Sequence, residues 1–238
     1  MNKIWFFGDS YAIPFGSDRT PCEWSWTGLL SRKLGFNSCL NASELGISNE
    51  YILKKILDYK SEISKNDTVV VISTSIARRW FFYDKPWASN FHRSKNLLGK
   101  NELAAVNTYI KFLYNEDQDM LLFHQFLGCI HHLTDTNRWN TIVIPGFEER
   151  GYPVSHRYQV RGTLFDVSEK EFSSLEDRDY FYNKCWKNNM DPRLNHLCKD
   201  NHQILADKIY STLATGVELD LTVGFREKMI SKNNFNHV

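Results

Sequence analysis

The chain has 238 residues, 42% hydrophobic and 24% charged, a globular balance with enough apolar material for a substantial core, so disorder is not the default. Lysine plus arginine number 29 against 28 acidic residues, which removes any global field for nucleic acid or an anionic membrane as partner. No stretch reaches the roughly 18 uninterrupted apolar residues of a membrane span, the first apolar run is too short for a signal-peptide core, and the five scattered cysteines lack a C-x-x-C pair. A soluble, cytoplasmic protein without a disulfide framework or a zinc site is expected.

Ile4 to Phe7 is a short apolar run that stops at Gly8-Asp9-Ser10, the pattern of a buried strand ending in a turn. Trp26, Leu29, Leu30 and Leu34 then fall at helical spacing, with Gly35 as a C-terminal stop. Ser38 to Leu40 reads as a second short strand, and Ile52, Ile56, Tyr59 and Ile63 mark one face of the helix after it. Thr68 to Ile72 is the clearest strand, β-branched throughout and apolar on both faces, as suits a parallel sheet covered on both sides.

Residues 81–98, aromatic and basic, read as an ordered loop flanking the site. Asn101 to Tyr114 and Glu116 to Leu133 read as two helices, the first with Leu103, Val106, Ile110 and Leu113 on one stripe. Thr141 to Gly146 is another buried strand ending in a turn. Residues 147–190 carry no clear period apart from a small strand at Leu164 to Val167, and His202, Leu205, Ile209 and Leu213 mark a last helix. Alternating strands and helices predict a three-layer α/β/α sandwich around a mainly parallel sheet, flavodoxin-like in topology, with the site beyond the carboxyl ends of the strands. We read one domain over 1–230, with insertions near 81–135 and 147–190, and a polar tail at 231–238.

Gly-Asp-Ser directly after a first strand, with a histidine near the end followed by a helix, is the order expected of a serine hydrolase. A serine hydroxyl is a weak nucleophile until an imidazole accepts its proton, and that imidazole must itself be oriented. The pieces are Ser10, His196 and an acid near His196. Asp191 is the only carboxylate in the segment Asp191 to Leu197 and is the candidate. Arg193 competes for that carboxylate, which would leave a Ser-His dyad oriented by a backbone carbonyl.

Four blocks, Phe7-Gly8-Asp9-Ser10, Asn41 to Asn49, the strand into Ser73-Thr74-Ser75, and His196-Leu197 with His202 and Leu205-Ala206, give the chain its resemblance to the SGNH/GDSL hydrolase superfamily. Ile72 to Phe82, with Thr-Ser running into Arg78-Arg79-Trp80, resembles divergent members found in tailed bacteriophages. The resemblance implies ester hydrolysis through an acyl-enzyme, without cofactor, on small acyl esters including those of glycans. It implies Ser10 and Gly46 as backbone oxyanion donors, each donor being worth about 3 kcal/mol of barrier. Where the family has an asparagine this chain has Ser75, with Asn49 as a substitute donor. Where the family has an aspartate three residues before the histidine, this chain has Arg193.

Three features carry blander readings. His124, His131 and His132 lack a completing carboxylate, so polar positions on an amphipathic helix are expected, not a metal site. Arg78 to Tyr83, Trp87 and His92 suit a sugar platform or a nucleic-acid stacking surface, and overall neutrality favours a packed insertion or substrate rim. His202 reads as a core or capping histidine. The rival readings of the whole chain are a non-catalytic SGNH-fold binding or virion module and a flavodoxin-like nucleotide or flavin binder. The second conflicts with a first turn that has no glycine-rich loop and carries Asp9.

Overall fold

The computed structural model describes residues 3–13, 23–36, 39–86, 95–147, 158–186, 193 and 196–234. Four strands, β1 (Ile4–Phe7), β2 (Cys39–Asn41), β3 (Thr68–Ser73) and β4 (Asn140–Pro145), form a parallel sheet in the order β2–β1–β3–β4. Helix α1 (Trp26–Lys33) follows β1 and α2 (Asn49–Tyr59) follows β2. Two helices, α3 (Lys100–Phe112) and α4 (Glu116–Asn137), lie between β3 and β4. After β4 come β5 (Val160–Arg161), α5 (Leu164–Lys170), α6 (Leu175–Trp186), α7 (Lys199–Thr215) and β6 (Leu219–Asp220), with β5 and β6 paired as a small parallel sheet.

The strands are apolar on both faces because each face has its own helical layer. Ile4, Phe6, Val70, Ile72, Ile142 and Ile144 project to one side, against Trp26 and Leu30 of α1 and Leu205, Ala206 and Ile209 of α7. Trp5, Phe7, Val69, Val71 and Val143 project to the other, against Ile52 and Ile56 of α2 and Phe123, Leu127 and Ile130 of α4. This is the period-two alternation of a strand read twice over. Each such large side chain contributes about 1.5–3 kcal/mol when fully buried. The protein is therefore a three-layer α/β/α structure with a mainly parallel sheet. In this strand order the chain leaves β1 and β3 toward opposite layers, which makes the carboxyl ends of these two strands the switch point where sites in such sheets form.

Gly8 sits on that edge. A Cβ there would lie 2.7 Å from Ile72 Cβ, so the last turn of β1 lies too close to β3 for any side chain. Gly8→Ala is expected to cost about 1–3 kcal/mol by overpacking, measured by urea unfolding. An unchanged midpoint would show that the edge is looser than this.

Two sequence expectations change. Leu164 to Val167 belongs to a helix, not a strand: Thr163 caps it, accepting from the Asp166 N–H at 3.0 Å and donating to its carboxylate at 2.8 Å. A Thr-x-x-Asp pair at a helix start outweighs a four-residue apolar run. The stripe on α3 is largely uncovered, with Val106 buried but Ile110 39% and Leu113 64% exposed. Helix α4, by contrast, packs on the sheet as part of its second layer. Among the described residues, no helix is long and apolar enough to cross a membrane.

Candidate active site

The chain leaves β1 through Gly8 and enters a single 3-10 turn, Ser10–Ala12, capped by the Asp9 carboxylate, which accepts from the Tyr11 N–H at 3.1 Å. Asp9 is fully buried. Its other oxygen accepts from the Thr74 hydroxyl at 3.0 Å and from the Arg78 guanidinium at 2.8 Å. Arg78 also lies 4.9 Å from the centre of the Phe147 ring. One ion pair thus ties the turn after β1 to the loop after β3, and the charge on the residue next to Ser10 is compensated.

The backbone beyond Ser10 is held from two further sides. The Trp26 indole N–H donates to the Tyr11 carbonyl at 2.7 Å, and the Asn41 amide donates to the Ala12 carbonyl at 2.6 Å. Neither role is legible locally, since Trp26 stands in the sequence as part of a helical stripe and Asn41 as part of the second block. The buried His202, on α7, accepts from the Trp26 backbone N–H at 3.1 Å through Nδ1, as expected of a core histidine that caps a helix start.

Ser10 and His196, 186 residues apart in sequence, meet here, with Ser10 Oγ 2.7 Å from His196 Nε2. Ser10 is 9% exposed and His196 is half-buried, so the pair does not stand on an open surface. His196 has φ 62°, a left-handed backbone that non-glycine residues rarely adopt, and its N–H donates to the Arg193 carbonyl at 3.3 Å. Its ring packs 5.1 Å from the ring of Tyr11. Burial, foremost, holds the Tyr11 hydroxyl well above the usual tyrosine range, with Tyr182 adding to the shift and Arg193 opposing it. Tyr11 is therefore a neutral wall for the imidazole.

Gly46 lies in the loop after β2, with φ 68°, a conformation that suits glycine. Bonds from the Ala42 N–H to the Phe6 carbonyl (2.9 Å) and from the Glu44 N–H to the Gly8 carbonyl (3.1 Å) run this loop beside the Ser10 turn. Of the two candidate side-chain donors, Asn49 donates elsewhere, while the bond to Ser75 uses its hydroxyl as an acceptor. The Asn49 amide pairs twice with the Thr74 backbone, donating to its carbonyl and accepting from its N–H, each at 2.9 Å. The Ser75 hydroxyl accepts from the Ala77 N–H at 3.4 Å. Asp191, Trp87 and His92 lie outside the described residues.

Arg193 has a fully buried guanidinium, which donates to Glu171 at 2.8 Å and to the Ser168 carbonyl at 3.0 Å. Glu171 lies in the stretch where sequence periodicity was silent, and no local signal marks it. Arg79 pairs with Glu50 at 2.9 Å and with Asp119, so both arginines of the Arg78-Arg79 step are consumed by buried ion pairs and offer no free basic surface. His131 contacts Asp135 at 3.3 Å along α4, and among the described residues no group of three His, Cys, Asp or Glu side chains is arranged to hold a metal.

No family model matches the chain, and no curated protein matches it. Among solved structures it is similar to a lipolytic protein of the G-D-S-L family from Desulfitobacterium hafniense, at 13% identity over 87% of this chain and 97% of that one, with a TM-score of 0.41. It is similar to an acetyl xylan esterase at 15% identity over 88% and 98%, TM-score 0.34. An extracellular lipase from Streptomyces rimosus shares 13% identity over 66% and 65%, TM-score 0.30.

Proposed function

We propose that the protein is a serine ester hydrolase of the SGNH/GDSL type, cutting small acyl esters with Ser10 as nucleophile and His196 as base. The observation that carries this reading is the 2.7 Å contact between Ser10 Oγ and His196 Nε2 at the carboxyl edge of the sheet. At that distance the imidazole takes the hydroxyl proton as Oγ attacks the ester carbonyl. The tetrahedral oxyanion faces the backbone N–H groups of Ser10 and Gly46 in this scheme. Collapse expels the alcohol, which receives the proton back from His196. A water then gives a proton to His196 and attacks the acyl-Ser10, releasing the carboxylic acid and restoring the hydroxyl. Every proton in the cycle passes through one imidazole.

A glycan as carrier of the acyl group is supported by Trp80 and Tyr83, on the loop that leaves Arg78. Their rings stack at 5.8 Å, and Tyr83 is 78% exposed, leaving an aromatic face of the kind that packs on sugar rings.

The test is turnover of a nitrophenyl acetate at neutral pH by the purified protein. Hydrolysis well above the buffer rate supports the esterase, and none would leave a non-catalytic binding module. Asp191 is proposed as the orienting acid. Asp191→Asn should then keep the fold but slow turnover by about 10⁴-fold, the scale of the same change in serine proteases. Turnover near that of the parent protein would mean that Ser10 and His196 work as a dyad.

A further inference from the structure

The residue at φ 62° is the one whose imidazole has to meet Ser10, and something must hold it there. The described residues on either side of it converge on a single carboxylate. Glu171 Oε2 accepts from the Arg193 guanidinium at 2.8 Å, three residues before His196. Glu171 Oε1 accepts from the Cys198 backbone N–H at 2.8 Å, two residues after it, and from the Asn201 amide at 2.7 Å in the first turn of α7. Glu171 and Arg193 have no exposed side-chain surface at all. The guanidinium carbon lies 4.8 Å from the centre of the Phe172 ring and 5.3 Å from that of Phe181, and its second terminal nitrogen reaches the Tyr182 hydroxyl at 3.3 Å. The Arg193 carbonyl in turn accepts from the His196 N–H.

We propose that Glu171 and Arg193 are positioning residues for His196, a buried carboxylate and guanidinium that grip both ends of the turn presenting the imidazole to Ser10. The inference rests on the esterase reading for its kinetic consequence and on geometry alone for its structural one. Neither residue touches the reacting atoms. A planar guanidinium fixed between aromatic rings sets the start of the turn, and the two bonds to Oε1 set its end. A left-handed backbone at His196 persists only where its surroundings fix it, and the bonds to Glu171 on both sides supply that fixing.

The experiment uses Glu171→Gln, which is isosteric but turns either an amide or a neutral oxygen toward Arg193, and Arg193→Lys, which keeps the charge but loses the planar fork. Both are expected to lower kcat by about 10- to 100-fold with KM within about twofold, since displacement of a catalytic group by about 1 Å costs on that order. Loss of thermal stability with kcat unchanged would overturn the inference. A second readout is independent of turnover. In the parent background, Ser10→Ala should move the His196 Nε2 resonance in nitrogen NMR, because that nitrogen loses its partner. In Glu171→Gln the same change should leave the resonance in place. A full shift there would also overturn the inference. Should Glu171→Gln fail to fold, Arg193→Lys carries both readouts. A parent protein without esterase activity counts against the proposed function, while the resonance comparison still decides the grip.

Discussion

Ser10→Ala is expected to lower ester turnover by about 10⁴- to 10⁶-fold while leaving thermal stability nearly unchanged. The size follows from the cycle, because Oγ is the atom that forms the covalent bond and its loss leaves only oxyanion donors and binding to act on water. The neutrality toward folding follows from what Oγ touches. The cap of the turn is Asp9, and the fixed carbonyls are those of Tyr11 and Ala12, so the backbone restraints survive removal of the hydroxyl. The comparison is made on steady-state rates for an aryl acetate with melting curves of both proteins. Equal turnover by the alanine variant would place hydrolysis elsewhere on the protein.

Arg78→Met has the largest expected effect on stability, about 3–5 kcal/mol, because it strands the fully buried Asp9 carboxylate. The Thr74 hydroxyl and the Tyr11 N–H remain as partners, but two neutral donors do not offset a charge removed from water. Since this pair joins the loops after β1 and β3, activity should fall along with stability. The charge is separable from the lost packing on Phe147. Adding Asp9→Asn to Arg78→Met removes the stranded charge and should recover a substantial part of the stability in urea unfolding. A double variant as unstable as the single one would assign the loss to packing alone.

The sheet was legible because the strongest signal in a sequence is an apolar run of strand length bounded by turn residues. Thr68 to Ile72 and Thr141 to Ile144 are such runs, and both are covered on two faces, the first in the middle of the sheet and the second at its edge. The placement of Gly8-Asp9-Ser10 after the strand Ile4–Phe7 pointed to the carboxyl edge of the sheet, because strand ends in parallel sheets share one edge. What was not legible depends on partners far away in the chain. Nothing in the neighbourhood of Glu171 says that its carboxylate meets Arg193, Cys198 and Asn201, and no period at Asn49 says that its amide is spent on Thr74. The pairs β5 and β6, two residues each, are too short for any alternation to register. The helix at Leu164–Lys170 did carry a signal, the Thr163 and Asp166 cap, which a reading of apolar periodicity alone passes over.

The central claim is that Ser10 is the nucleophile and His196 its activator, and covalent capture tests it most directly. A fluorophosphonate that reacts only with activated serine hydroxyls should add once to the parent protein, on the peptide containing Ser10. Labelling should fall sharply in His196→Ala and vanish in Ser10→Ala. No adduct on the parent protein, or an adduct on another residue that persists in Ser10→Ala, would contradict the account.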